Sequence, residues 1–113
     1  MDTPHRLFTY GTLQNSAVQR AVFGRTLDGA PDAVTGYRLG SVTIADPQVL
    51  QASGLAVHRI LHPTGDPRDV VDGQVLALTD ADLIAADAYE TDAYRQVTAK
   101  ARSGLRVFVY VAA

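Results

Sequence analysis

The chain has no cysteine. Disulfides, thiolate catalysis and cysteine-ligated metals are therefore excluded. It has no marked excess of either charge: 10 Lys and Arg stand against 12 Asp and Glu, a formal net charge of -2. No basic cluster interleaved with aromatics stands out. That removes any general electrostatic argument for nucleic acid or an anionic membrane as partner. No apolar run is long enough to span a bilayer. The opening MDTPHRLFTY has an acid and a proline where a signal peptide needs a basic and then an apolar region. A cytoplasmic protein is the expectation.

Other signals are missing too. There is no repeat, low-complexity segment or linker, and no phosphate loop or dinucleotide fingerprint. Ser16, Ser41, Ser53 and Ser103 lie in no nucleophile-elbow pattern. His58 and His62 have the spacing of a helical zinc pair, but LAVHRILH reads as a strand. Four residues there span roughly 13 Å, too far to share one ion. His5 stands alone, and no third ligand is obvious, so no metal is expected. Nothing specifies an oligomeric state.

What is present fits one domain over residues 1–113, with 47% hydrophobic residues for a core. RLFTY reads as a strand broken by Gly11. Asn15 or Ser16 caps a short helix with Val18, Val22 and Phe23 inward and Gly24 as its stop. AVTGYRLGSVTIA is a long bent strand, or two strands meeting at a bulge. DPQVLQASG reads as a loop. LAVHRILH and VVDGQVLAL are strands, the second interrupted at Asp72-Gly73. Thr79 with Asp82 forms a capping-box pattern ahead of a helical stripe of Leu83, Ile84 and Ala88. AYRQVTAKA and LRVFVYV form a closing hairpin around Arg102-Ser103-Gly104. The expected fold is α+β: a small mixed, mostly antiparallel, barrel-like sheet with two short helices.

Two stretches carry candidate chemistry. In Tyr10-Gly11-Thr12-Leu13, a glycine between a strand and a helix start allows successive N–H groups to face one concavity. Such a nest binds carboxylates or oxyanions, and Thr12 adds a hydroxyl. A plain turn is the other reading. In DAYETDAYR, Asp87, Glu90 and Asp92 crowd a helix end, where the helix dipole is negative. A buried carboxyl there has a raised pKa and is a candidate acid/base. Glu90, flanked by Tyr89 and close to Tyr94, is the best placed. A solvated acidic helix end is the alternative. By strand alternation Arg95 faces away from Tyr94.

Taken in order, LFTYGTL, GYRLG, VDGQVLAL, ADAYETDAYRQV and VFVYV resemble the γ-glutamylcyclotransferase-like proteins, including the AIG2-like group. Ala86 departs from the leucine usual in that family, and Thr91 from its frequent glycine. The resemblance implies a site in which Tyr10, Gly11, Thr12 and Leu13 bind a small-molecule γ-glutamyl substrate opposite Glu90, with Tyr94 beside it. It implies release of 5-oxoproline from γ-glutamyl amides without metal or cofactor. A binding or regulatory module using the same pocket, and a purely structural domain, are the competing readings.

Overall fold

The structure, a computed structural model, describes residues 2–113. The elements are β1 (His5–Thr9), a 3-10 turn (Thr12–Gln14), α1 (Ser16–Phe23), β2 (Gly29–Thr35), β3 (Tyr37–Thr43), α2 (Pro47–Ser53), β4 (Val57–Pro63), β5 (Val70–Leu78), α3 (Asp80–Tyr89), β6 (Tyr94–Lys100) and β7 (Arg106–Ala112).

Strand alternation organises the core. Leu7 and Phe8, adjacent in β1 and both buried, point to opposite faces and enter two different apolar clusters. β1 is the middle strand of a five-stranded sheet of order β2-β5-β1-β7-β6. Its pairing with β5 is antiparallel and its pairing with β7 parallel. One cluster gathers Leu7, Leu13, Val18, Leu76, Leu78, Ala86 and Tyr89, and so seats α1 and α3. The other gathers Phe8, Tyr10, Val34, Val75, Val107 and Val109.

The mostly antiparallel α+β fold expected from the sequence is present, but the sheet does not close into a barrel. The bent strand divides at Gly36, whose φ of 82° suits glycine. There the chain leaves the main sheet, and β3 and β4 form a separate antiparallel ribbon.

Asn15 caps α1 through its side chain, and Gly24 ends it in the left-handed conformation. The capping box at α3 is formed by Thr79 and Asp82. Among the described residues there are three α-helices, not two. The stretch read as a loop is α2, because Asp46 accepts from the N–H groups of Gln48 and Val49, Pro47 opens the first turn, and Gly54 closes the last.

β5 runs without interruption through Asp72 and Gly73, which pair with Ala33 and Asp32 of β2. The glycine answers a close approach: a Cβ there would press on the Thr9 carbonyl and come within 2.8 Å of Phe8 Cζ. Gly73→Ala is therefore expected to lower stability by about 1–3 kcal/mol in chemical denaturation. Wild-type stability in this variant would mean that the Phe8 side of the sheet is looser than described.

Candidate active site

Where β1 ends, the chain turns. Gly11 has φ -125° and ψ -140°, outside the left-handed region, and a Cβ would meet nothing there. The concavity expected of the glycine is thus not made by a left-handed residue. It comes from the 3-10 turn, which Gln14 and Asn15 close by donating to Gly11 O at 3.1 Å and Thr12 O at 2.9 Å. Among the described residues, the N–H groups of Gly11, Thr12 and Leu13 find no acceptor. These are the orphan donors of a helical first turn. Gln19 braces the loop from below, donating to Leu13 O at 2.8 Å and accepting from Leu27 N at 2.8 Å.

Glu90 arrives from the far side of the chain. It is the residue at which α3 stops, its N–H still donating to Ala86 O at 3.0 Å while its own backbone is extended. Its side chain enters the wall of a cavity of about 20 Å³ that Tyr10, Gly11, Thr12, Leu13 and Tyr94 also line. The structure thus brings all six expected site residues to one space. That volume holds about one water-sized group. Tyr10, Gly11, Thr12, His58 and Arg59 are also walls of a larger groove of about 470 Å³, so the two spaces adjoin.

Burial, and then the charge of Asp87, push the Glu90 carboxyl up to about 8. The residue is part-exposed, and its carboxyl oxygens, which accept no hydrogen bond from the described residues, keep some accessible surface; the protein packed round them sets the shift. No arginine, lysine or histidine forms an ion pair with it among the described residues. Asp87 is engaged elsewhere: it accepts from the Tyr110 hydroxyl at 2.8 Å and from Gln96 Nε2 at 3.3 Å.

The hydroxyls round the cavity are fixed. Tyr10 donates to Tyr110 O and Tyr94 to Arg59 O, each at 2.7 Å. Burial raises both phenols, and each also feels Glu90. Thr12 Oγ1 lies 2.6 Å from the Tyr89 hydroxyl, so the loop's added hydroxyl is tied to the residue before Glu90. Arg95 and Asp92 are exposed and away from the cavity.

Sequence reasoning did not assign His58, Arg59 or Tyr110 to this wall, nor pair Tyr89 with Thr12 behind it. Tyr110 is two residues from Phe108 on β7, an alternation that points to packing alone. His58 carries no local signal at all, because what surrounds it comes from α2 and α3.

A titratable carboxyl facing free backbone donors across a water-sized space is a site suited to acid–base chemistry on a bound anion. The chain belongs to the gamma-glutamyl cyclotransferase, AIG2-like family, whose model matches residues 7–113. The solution structure of At3g28950.1 from Arabidopsis thaliana is similar at TM-score 0.69 and 24% identity, over 96% of this chain and 61% of that one. A solved gamma-glutamyl cyclotransferase is similar at TM-score 0.71 and 14% identity, over 96% of this chain and 66% of that one. An uncharacterized protein from Homo sapiens, loc79017, is similar at TM-score 0.70 and 15% identity, again over 96% and 66%. The chain thus spans roughly two thirds of the length of these proteins, and the likeness is one of fold. No curated protein matches the sequence. No helix among the described residues is long and apolar enough to cross a membrane.

The raised carboxyl has a consequence for stability. Glu90 ionises in the unfolded chain near 4.5 but in the folded chain near 8. Its contribution is therefore lost progressively as pH rises across that window and is constant above it. Glu90→Gln is expected to be more stable than wild type at pH 8 and close to it at pH 4, a difference on the order of a few kcal/mol. Thermal unfolding at the two pH values checks this, and a difference independent of pH would contradict it.

Proposed function

We propose that the protein releases 5-oxoproline from a γ-glutamyl amide, with Glu90 as general acid and base. The observation that carries this reading is the meeting of the Glu90 carboxyl and the Gly11–Leu13 donors at one cavity. The family supports the reaction class.

The sizes suggest how a substrate would lie. The inner space admits a group no larger than an ammonium or a water, so the body of the substrate occupies the outer groove. The free N–H groups of the loop hold its carboxylate. The α-nitrogen then stands near Glu90, gives up a proton and attacks the γ-carbonyl carbon. A five-membered ring forms, the amide C–N bond breaks, and Glu90 returns a proton to the departing amine. With a carboxyl near 8, both protonation states are accessible around neutrality, as this two-way role needs. The attack is intramolecular, so holding the chain of the substrate in a folded conformation supplies much of the acceleration. The atoms balance without a metal or redox cofactor.

Glu90→Gln is expected to cut 5-oxoproline release from a panel of γ-glutamyl amines by about 10²–10⁴-fold, with substrate binding retained. Equal release by wild type and variant would remove Glu90 from the mechanism. Glu90→Asp separates catalysis from simple binding: a catalyst loses most of its turnover, while a binding module loses only part of its affinity.

A further inference from the structure

His58 lines both the inner cavity and the outer groove. It is buried in β4, 6% exposed, with its ring stacked on Tyr89 at 6.4 Å and 28°. Nε2 lies 3.1 Å from Leu55 O and 3.0 Å from Ser53 Oγ. A carbonyl only accepts, so Nε2 carries the ring proton and Nδ1 carries the lone pair. Ser53 is itself held at the end of α2, its hydroxyl 2.9 Å from Val49 O.

Nδ1 makes no hydrogen bond to any described residue, yet no buried side-chain nitrogen or oxygen among them is left without a partner. Nδ1 is therefore on accessible surface, and His58 contributes surface to the two spaces where a substrate would lie. α2, β4 and α3 clamp one face and one edge of the imidazole and leave its basic nitrogen unused.

We propose that His58 Nδ1 is the acceptor for the first proton of the substrate's α-ammonium, which leaves Glu90 to serve the departing amine. This rests on the cyclotransferase reading above. The α-ammonium passes one proton to Nδ1 and becomes a neutral amine, while the imidazole becomes imidazolium. The amine nitrogen bonds to the γ-carbonyl carbon, and the carbonyl oxygen takes the negative charge. The Glu90 carboxylic acid protonates the amide nitrogen, the C–N bond breaks, and the carbonyl re-forms. The Glu90 carboxylate then removes the surplus proton from the ring nitrogen. The free amine leaves with the proton from the imidazolium, so both side chains end as they began.

The environment agrees with this division. Burial holds His58 below the ordinary histidine value, so it waits as the neutral base, while Glu90 is raised and waits as the acid. The groups facing His58 are Ser53 from α2, Tyr89 from α3, and Tyr10, Thr12 and Glu90 round the cavity, with Arg59 next to it on β4. Arg59 and Glu90 are the charged or titrating ones besides the phenols.

His58→Gln keeps a donor for Leu55 and removes the base. It is expected to lower kcat for 5-oxoproline release by about a hundredfold with KM changed little, and to remove one limb of the pH profile. An unchanged kcat and pH profile would overturn the proposal. A second measurement is independent of turnover: ¹⁵N NMR of the His58 ring in Glu90→Gln, titrated with γ-glutamyl-ethylamine and with its analogue lacking the α-amino group. The free protein should show protonated Nε2 and bare Nδ1, and only the amino-bearing ligand should shift Nδ1. A protonated Nδ1 in the free protein, or a resonance that neither ligand moves, overturns the proposal. A shifted Nδ1 in Glu90→Gln, when the wild-type protein releases no 5-oxoproline from the same amide, keeps the acceptor and refutes the reaction.

Discussion

A carboxyl buried at the negative end of a helix, next to another carboxylate and with no cation paired to it, is the feature on which the site depends. Burial, the Asp87 charge and the C-terminal dipole of α3 all oppose ionisation of Glu90. The rest of the fold must hold the group there against its tendency to move into water. It does so through the neighbours of Glu90: Tyr89 and Ala86 are core residues, so the end of α3 cannot drift without opening the apolar cluster under the sheet.

The two ends of α3 make the contrast plain. At the start, Asp82 caps the helix, takes both nitrogens of Arg25 at 2.8 and 2.6 Å, and is held down at about 2. That carboxylate meets the positive end of the helix dipole and a cation. Eight residues on, Glu90 meets the negative end, an apolar wall and Asp87. One helix thus holds a locked anion and a proton carrier, and position along the helix separates their roles. The remaining site groups come from the turn after β1 and from β4, β6 and β7, and their hydroxyls are tied to backbone, to one another or to Asp87. Among the described residues, such ties leave the Glu90 carboxyl, the loop N–H groups, His58 Nδ1 and the Arg59 guanidinium without a hydrogen-bond partner.

Much of this was legible in the sequence where the signal is local. Thr79 with Asp82, Asn15 with Gly24, and the alternation in VFVYV all mark their elements through nearest-neighbour chemistry. Asp46-Pro47 with Gly54 carries the same kind of signal for α2, although DPQVLQASG reads as a loop. The pairing of the loop with Glu90 came from resemblance, since some eighty residues separate them. The departure of the chain from the main sheet at Gly36 is a tertiary event that alternation does not report. His58 was judged only as a metal ligand. Its surroundings are assembled from α2 and α3, and nothing within LAVHRILH announces them.

The account stands on the state of one carboxyl. A pH titration of the protein with ¹³C-labelled glutamate side chains, followed by NMR at Glu90 Cδ, measures that state directly. Glu90 is the chain's single glutamate, so the signal is unambiguous, and its midpoint should lie near 8. A midpoint near the ordinary 4.5 would mean that Glu90 is solvated, and would contradict the site as described.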